Sequence, residues 1–288
     1  MNTLTVRVPA TTANLGPGYD CLGVALRIYN RVTVSRGKPA SKPHPMVLKA
    51  ASRFFETAEV KPFEFDWAIC GDVPQSRGLG SSVTVRLGIL HGLNELAGGV
   101  LEREELFLLC SELEGHPDNA APAEFGGFTV ASAESCLSFD VSPDLSFVLL
   151  IPEFEVSTPA ARKVLPVDLQ HDLAVTCAGN AARITAAFAS GQYEALRGAF
   201  EDFLHQPFRQ PLIPFLPAVI RAGEEAGALG GFLSGSGSTI ACVTLEAPER
   251  VAAAMLKAAG VKARTVITTA DKNGVKILKE KDAETRGR

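Results

Sequence analysis

The segment Arg77-Gly78-Leu79-Gly80-Ser81-Ser82 has the residue types of a phosphate-binding loop. Its glycines let the backbone approach an anion, and the first turn of a helix offers unpaired N–H groups and the positive end of the helix dipole. The two serine hydroxyls could cap a helix, bind phosphate oxygens or reach a magnesium ion. A glycine-rich helix start is structural more often than functional, so the phosphate hypothesis depends on support from other segments.

Two further glycine-rich segments give that support because they also carry polar side chains. Residues 14–20 place Asn14 and Asp20 on either side of a Gly-Pro-Gly turn, and residues 230–237 end in Leu-Ser-Gly-Ser-Gly. Three such loops, each joining predicted regular elements, favour a shared pocket for a polyanion. The patterns of P-loop proteins and of Rossmann dinucleotide-binding proteins do not occur in the sequence, which argues against both classes.

Polar groups of several kinds come together between Glu112 and Asn119, where a predicted helix ends. A carboxylate such as Glu112 is a hard oxygen ligand that Mg²⁺ accepts, although a solvated residue near a helix end is the simpler explanation from sequence alone. His116 suits a position facing a ligand and an ordinary loop equally well.

Regular elements predicted on both sides of the Arg77 loop would hold it in place. Phe63, Phe65, Trp67 and Ile69 alternate along the chain, which predicts a strand leading into the loop. Residues 83–96 keep helical spacing, and their length favours a helix over a strand. The predicted order is therefore strand, glycine loop and helix.

The whole chain mixes predicted helices and strands, which indicates an α+β architecture in two lobes. Pro152 ends a run of strands, so we place the boundary there, between an N-terminal lobe (1–152) and a C-terminal lobe (153–288). Near the C terminus, Asn273-Gly274 is a strong signal for a β-hairpin turn. The charged segment 279–288 is expected to fray.

The composition limits the class of protein. The chain has 288 residues, of which 46% are hydrophobic, and a mean hydropathy of +0.14, so it can bury a sizeable core. Its 28 basic and 32 acidic residues give a net charge of -4, which argues against nucleic acid and anionic membranes as partners. The six cysteines lack metal-ligand spacing, which is typical of buried thiols in a reducing compartment. Without an apolar run of about 18 residues, we expect a cytoplasmic protein that acts on small molecules.

Four motifs resemble those of the GHMP family of small-molecule kinases. They are Pro9 to Asp20, Arg77 to Ser82, Glu114 to Ala123 and Leu233 to Gly237, and they occur in the order found in that family. The segment from Glu114 to Ala123 is similar to one that is typical of the homoserine kinase branch. The resemblance spans roughly residues 4–278 and is therefore specific at the level of the family.

This resemblance implies a two-lobed α+β fold, with an N-terminal lobe like domain 2 of ribosomal protein S5 and a ferredoxin-like C-terminal lobe. It also implies ATP as co-substrate and a homodimer. The residues expected to bind ATP are Arg77, Gly78, Leu79, Gly80, Ser81, Ser82, Ser234, Gly235, Ser236 and Gly237. Ser82 and Glu112 are the expected ligands of Mg²⁺.

The homoserine branch implies that L-homoserine accepts the γ-phosphoryl group on its side-chain hydroxyl, a reaction of threonine biosynthesis. The residues expected to face this amino acid are Asn14, Asp20, His116, Thr158, Arg162 and Arg209. Asp20 would neutralise the α-ammonium, and the two arginines would bind the carboxylate. Asn119 is expected near the reacting hydroxyl, with the adjacent Asp118 as the alternative.

Two alternatives stay open from the sequence. The first is a GHMP kinase for another small alcohol such as threonine, and the second is a non-catalytic relative that binds a ligand. Tyr19 replaces a commoner Phe, Ser238 replaces a commoner Pro and Phe232 is bulkier than expected, so the alcohol is undecided. The candidate magnesium pair argues against the non-catalytic alternative, because a binding protein would not need it.

Overall fold

The fold is that of a computed structural model which describes residues 2–40 and 44–278. The charged segment 279–288, predicted to fray, lies outside the described residues. The elements of the N-terminal half are β1 (Thr3–Ala13), β2 (Leu22–Arg36), α1 (Pro45–Thr57), β3 (Phe65–Gly71), α2 (Ser81–Ala97), α3 (Arg103–Glu114), α4 (Ala120–Phe125), β4 (Phe128–Ala131) and β5 (Cys136–Phe139). Those of the C-terminal half are β6 (Ser146–Pro152), α5 (Thr158–Lys163), α6 (His171–Ser190), α7 (Gln206–Arg209), α8 (Leu216–Glu225), β7 (Gly230–Leu233), β8 (Ile240–Thr244), α9 (Pro248–Ala259), β9 (Ala263–Thr269) and β10 (Lys276–Leu278), with 3-10 turns at Tyr193–Leu196 and Gln210–Leu212.

The first sheet is antiparallel and is built around β1 and β2. Its strand order is β10-β1-β2-β4-β5, and β3 pairs with the C-terminal half of β2. Val6 and Val8 of β1 and Val32 and Val34 of β2 alternate with less buried residues, which turns one face of the sheet into a hydrophobic core. Helices α1, α2 and α3 contribute apolar residues to the same core.

Helix α2 approaches this sheet closely because two of its residues are glycines. A Cβ atom on Gly88 would lie 2.4 Å from Val32, and one on Gly92 would lie 2.4 Å from Val34. A glycine inside a helix lowers its stability by about 1 kcal/mol relative to alanine. The close packing of α2 against the sheet offsets this loss at both positions. The packing fixes the axis of α2 and therefore the position of its first residue, Ser81.

The second sheet is also antiparallel and has the strand order β7-β8-β6-β9. Helices α8 and α9 cover one of its faces through a hydrophobic cluster that includes Val219 and Met255. On the other side, Phe147 and Phe232 belong to a cluster that also contains Leu26 of the first sheet. The two sheets therefore share a core. No helix in the part of the chain that the structure describes is long and apolar enough to cross a membrane.

The strand pairing differs from the predicted boundary at residue 152. Strand β6, predicted to belong to the N-terminal lobe, pairs with β8 and β9 of the second sheet. Strand β10 returns to pair with β1 of the first sheet. The chain therefore changes sheet between β5 and β6, and again after β9. For the same reason the Asn273-Gly274 turn joins two sheets, and the predicted hairpin there is wrong.

Candidate active site

A cavity of about 650 Å³ lies where the three glycine-rich loops meet. Residues from both halves of the chain line this cavity. They include the start of α2, the end of α3 and helix α5. The predicted site residues that line the cavity are Asn14, Asp20, Arg77, Gly78, Leu79, Gly80, Ser81, Ser82, His116, Asp118, Asn119, Thr158, Arg162, Arg209, Gly235 and Ser236. The structure places three others, Glu112, Ser234 and Gly237, elsewhere.

The second loop has the backbone geometry of an anion site. Gly78 and Gly80 have φ values of 71° and 68°, and a Cβ on Gly80 would lie 2.1 Å from Thr11 Oγ1. Gly80 is the N-cap residue of α2 and provides no side-chain cap for the first turn. Ser81 and Ser82 line the cavity, so the positive end of the α2 dipole is directed at this space.

The third loop supports the second one from behind. Ser234 is fully buried, and its hydroxyl donates a hydrogen bond of 2.6 Å to the carbonyl oxygen of Gly78. A Cβ on Gly237 would lie 2.6 Å from Ile213, so this glycine packs against the hydrophobic core. The predicted contacts of Ser234 and Gly237 with ATP are therefore corrected to a supporting position. Gly235 and Ser236 face the cavity.

Glu112 is not the acidic residue beside Ser82. Its side chain is 57% exposed and accepts hydrogen bonds from Arg53 at 3.1 and 2.8 Å on the outer surface. Glu114 instead accepts a hydrogen bond of 3.0 Å from the Ser82 hydroxyl and forms an ion pair with Arg86. Residues two positions apart on a helix point to nearly opposite sides. The structure thus contradicts the predicted pairing of Ser82 with Glu112.

Asp20 and Arg162 form an ion pair at the other end of the cavity. Arg162 Nη2 donates to both carboxylate oxygens of Asp20, at 2.8 and 2.9 Å. Burial raises the pKa of Asp20, and the neighbouring Asp118 carboxylate raises it further, while Arg162 acts in the opposite direction. Asn14 fixes the loop that carries Asp20, because its side chain accepts from the Asp20 N–H and donates to the Gly235 carbonyl.

His116 and Asp118 lie next to this ion pair. His116 Nδ1 donates to Asp118 Oδ1 at 2.5 Å. Burial alone would lower the pKa of His116, but the hydrogen bond and the negative charge of Asp118 outweigh it and raise the pKa. Together with Asp20, these groups offer ligand atoms that all lie within 4.8 Å of one another, so this end of the cavity could hold a cation.

Asn119 lies between the two ends. Its Oδ1 accepts a hydrogen bond of 2.7 Å from Thr11 Oγ1, and its Nδ2 donates to Asp118 Oδ1 at 3.2 Å. A Cβ on Gly80 would lie 3.4 Å from the same Oδ1, so the amide adjoins the anion loop. Asn119 is therefore close both to the glycine loop at Gly78 to Ser82 and to the charged side chains of Asp20, His116 and Asp118.

Arginine side chains complete the site. Arg209 is 2% exposed and donates to the carbonyl oxygens of Ala161 and Gly235, at 3.1 and 3.0 Å, while burial lowers its pKa. Thr158 contacts Ser236 at 3.4 Å between their hydroxyl oxygens. 

Arg77 has a different environment from the other two arginines. It lines the cavity, yet its guanidinium group donates to the carbonyl oxygens of Pro152 and Glu153. These bonds tie the second loop to the end of β6. Arg77 therefore fixes the position of the second loop relative to β6.

Sequence reasoning missed the apolar part of the cavity and Glu114. The apolar part is lined by Met46, Trp67, Ile69 and Val85. The alternation in β3 signals a strand, but it does not tell which of its faces borders a cavity. Glu114 is the first residue of the motif from Glu114 to Ala123, and this position in a motif was the signal that could have favoured it over Glu112.

Two stretches of the sequence match models described as the GHMP kinases N terminal domain, at residues 45–127, and the GHMP kinases C terminal, at residues 184–262. The chain is also 41% identical to a homoserine kinase of Clostridium beijerinckii, over 86% of this chain and 88% of that protein. The chain belongs to the GHMP kinase family. The kinase domains and the similarity to curated kinases together make it a phosphotransferase, and the kinase family implies ATP as the phosphoryl donor.

Further relatives of this GHMP kinase agree over nearly its full length. A homoserine kinase of a Synechococcus species is 40% identical over 96% of this chain and 98% of that protein. The crystal structure of homoserine kinase from Cytophaga hutchinsonii superposes with a TM-score of 0.88 at 25% identity, covering 96% of this chain and 98% of that one. The predicted two-lobed α+β fold and the resemblance to the homoserine kinase branch are confirmed.

Proposed function

We propose that the protein transfers the γ-phosphoryl group of ATP to the side-chain hydroxyl of L-homoserine. The observation that carries this proposal is the arrangement of charges in one cavity. The start of α2, with Ser82 and Glu114, forms an anion and metal end, while Asp20 faces Arg162 and Arg209 at the other end. The similarity to homoserine kinases supports L-homoserine as the amino acid that fits the second end.

The triphosphate binds the first turn of α2 in this proposal. Gly78 and Gly80 allow the close approach, and the N–H groups of the turn supply the hydrogen bonds. The Ser82 hydroxyl and the Glu114 carboxylate, 3.0 Å apart, are hard oxygen donors and fit Mg²⁺. A bound Mg²⁺ neutralises charge on the phosphate oxygens. The Arg86 ion pair keeps the Glu114 carboxylate on the cavity side of α3.

The adenine ring is assigned to the apolar part of the cavity. Trp67 and Ile69 of β3, Val85 of α2 and Met46 of α1 offer the apolar and aromatic surfaces that suit a planar base. This part is continuous with the loop at Gly78 to Ser82, which allows one nucleotide to occupy both.

The Asp20–Arg162 ion pair supports selection of a zwitterion. A bound amino acid can pair with both side chains in place of their contact with each other. Its ammonium group binds Asp20, and its carboxylate binds Arg162 and Arg209. A substrate with one charge would separate this pair and leave one of its halves without a partner, which costs binding free energy. A substrate with no charge would leave the pair intact and gain neither charged contact. The site is therefore expected to prefer homoserine to mevalonate and to sugars.

The residues between the two ends position the reacting groups. Asn119 adjoins Gly80 and binds Asp118, so its amide is placed to hydrogen-bond the attacking hydroxyl. Phosphoryl transfer depends on in-line positioning and charge neutralisation more than on a strong base. His116 and Asn119 hold the Asp118 carboxylate, which we assign to binding the ammonium together with Asp20.

Two further expectations stay predictions. The homodimer is implied by the resemblance to the family, and sedimentation velocity tests it. The cytoplasmic location is expected from the composition and from the small-molecule substrates.

A coupled assay of ADP release tests the proposed substrate. With ATP and Mg²⁺, L-homoserine is expected to give the highest kcat/KM in a panel with L-threonine, mevalonate and galactose. Faster turnover of another alcohol would identify a GHMP kinase of different specificity. Ligand binding without ADP release from any member of the panel would instead support the non-catalytic alternative.

A further inference from the structure

We propose that His205 is a positioning residue that fixes Arg209 for the carboxylate of the amino acid substrate. This inference rests on the proposed function, in which Arg209 binds that carboxylate. His205 is fully buried and lies behind the cavity, where it cannot touch the substrate itself. Its effect on the site must therefore pass through Arg209 and through the loops that it contacts.

The contacts of the imidazole define its tautomer. Arg209 Nη1 lies 3.2 Å from His205 Nδ1, and because a guanidinium group can only donate, Nδ1 must be the acceptor. The ring hydrogen is then on Nε2, which lies 2.9 Å from the Gly16 carbonyl oxygen and 3.3 Å from Asp202 Oδ2. A hydrogen on Nδ1 would place two donors against each other.

The environment keeps this imidazole neutral. Burial lowers the pKa of His205 to about 4, and the charge of Arg209 acts in the same direction, while the carboxylate of Asp202 acts against them. At neutral pH the ring is therefore the uncharged acceptor that Arg209 needs.

His205 also determines which N–H groups of Arg209 are left for a ligand. Nε donates to Ala161, and the two N–H groups of Nη1 are taken by His205 and Gly235. None of these three hydrogen bonds uses Nη2, and Arg209 lines the cavity beside the Tyr19 ring. Loss of the His205 acceptor would leave one Nη1 N–H group unpaired, and only the bonds to Ala161 and Gly235 would then hold the guanidinium plane, which loosens this orientation.

The pair of His205 and Arg209 links three segments that carry substrate-facing residues. His205 binds Gly16 in the first glycine loop, between Asn14 and Asp20. Arg209 binds Ala161, the neighbour of Arg162, and Gly235 of the third loop.

Groups around the histidine fix its own position. The Asp202 carboxylate accepts hydrogen bonds from the N–H groups of Leu204, His205 and Gln206, at 2.7, 3.2 and 2.8 Å, which holds the backbone. The ring of Tyr19 lies 5.3 Å from the imidazole ring, and Arg209 lies 5.2 Å from the same Tyr19 ring. The imidazole therefore has little room to rotate.

A matched pair of substitutions tests the role of the acceptor. His205→Asn keeps an acceptor oxygen close to the position of Nδ1. His205→Leu introduces a side chain of nearly the same shape as asparagine, but without an acceptor. Relative to His205→Asn, His205→Leu is expected to raise the KM for L-homoserine about tenfold or more, because a buried charged donor loses its partner. The KM for ATP is expected to agree within about twofold between the two variants, since they differ only at the carboxylate end.

L-Homoserine amide separates positioning from general damage to the fold. The amide lacks the carboxylate charge, so the preference of the enzyme for L-homoserine over the amide should fall in His205→Leu and persist in His205→Asn. His91→Leu is the control for loss of a buried histidine, because His91 binds Glu124 in the other lobe, and it should leave the preference unchanged. Equal preference in the two His205 variants would overturn the proposal. Absence of homoserine turnover in the wild-type protein would instead overturn the proposed function.

The wild-type protein provides a second test that does not depend on the folding of any variant. The chain has five histidines, so ¹⁵N NMR of the imidazole nitrogens can resolve His205. We expect the neutral tautomer with hydrogen on Nε2 at pH 7, and a change in the Nδ1 resonance when L-homoserine binds but not when L-homoserine amide binds. A charged ring, the other tautomer, or the same response to both compounds would contradict the role of His205.

Discussion

Glu112 and Glu114 have the same side chain and opposite surroundings at the end of α3. Glu112 is solvent-exposed and paired with Arg53, whereas Glu114 contacts Ser82 in the cavity. At the scale of single residues, the direction of each side chain decides which of them can serve the reaction. Two predictions follow from such directions.

The first concerns the magnesium site. Glu114→Gln is expected to raise the Mg²⁺ concentration needed for half-maximal activity and to lower kcat/KM by at least about tenfold, because a hard anionic ligand is lost. Glu112→Gln is the matched control and should stay within about twofold of the wild type, since an exposed ion pair contributes little. Titration of activity with MgCl₂ measures both. A larger effect of Glu112→Gln would restore the prediction made from the sequence.

The second concerns Asn119. Asn119→Ala is expected to lower kcat about a hundredfold, the order of magnitude for losing one well-placed hydrogen-bonding group in a transition state. The fold should persist, since the Asn119 side chain does not cap α4. Steady-state kinetics and thermal unfolding give the two readouts. Wild-type turnover in this variant would remove Asn119 from the mechanism, and a larger loss in Asp118→Asn would transfer the role to Asp118.

At the scale of elements, the start of α2 is the part that binds phosphate. Gly80 and Gly98 flank this helix, and both have positive φ values, of 68° and 102°. They differ in their neighbours, because a Cβ on Gly80 would meet Thr11 Oγ1 at 2.1 Å and one on Gly98 would meet nothing within 4 Å.

This difference gives a test with an internal control. Gly80→Ala and Gly98→Ala both add backbone strain of roughly 1 kcal/mol, because both force alanine into the left-handed region. Gly80→Ala should in addition displace the loop and raise the KM for ATP about tenfold or more, whereas Gly98→Ala should change it by less than about twofold. If both variants bind ATP equally well, the start of α2 is not the triphosphate site.

Helix α4 is held by a buried carboxylate. The fully buried Glu124 side chain binds His91 Nε2 at 2.7 Å and Arg103 Nε at 2.8 Å, which joins α4 to α2 and α3. Glu124→Gln is expected to lower the free energy of unfolding by about 2 kcal/mol at pH 7, less than for a fully buried pair because Arg103 is partly exposed. Urea denaturation measures the loss.

The same contacts make this loss depend on pH. Burial raises the pKa of Glu124, but His91 and Arg103 outweigh it, so the pKa lies below its usual value of 4.5. A group with a lowered pKa in the folded state stabilises the fold above its unfolded pKa and loses that contribution as the pH falls through the folded value. The difference between wild type and Glu124→Gln should therefore shrink as the pH is lowered below about 4.5. A constant difference would show that charge is not its cause.

At the scale of the whole molecule, the cavity exists because distant segments of the chain meet. Residue types and local order were enough to predict the three glycine loops and the strand before α2, whereas the resemblance to the GHMP family was needed to name most of the residues that the structure brings together around the cavity. Helix α2, predicted at 83–96, spans Ser81–Ala97. These features depend on short-range patterns of glycine, hydroxyl groups and apolar spacing, which a single sequence carries.

Long-range pairing was beyond that information. Alternation predicts a strand but not its partner, so the membership of β6 in the second sheet and of β10 in the first could not be deduced. Asn273-Gly274 does form a turn, since Asp271 accepts from both N–H groups, but the turn leads to another sheet. The burial of Ser234 could not be predicted either, because its hydrogen bond to Gly78 joins residues that are far apart in the chain.

Identification of the product tests phosphoryl transfer to L-homoserine most directly. The protein is incubated with ATP, MgCl₂ and L-homoserine, and the products are followed by ³¹P and ¹H NMR. We predict one phosphomonoester on the side-chain oxygen of homoserine for each ADP formed, and no such product without the amino acid. Release of ADP without phosphorylated homoserine, or phosphorylation of L-threonine, mevalonate or galactose in preference to homoserine, would contradict the proposed function.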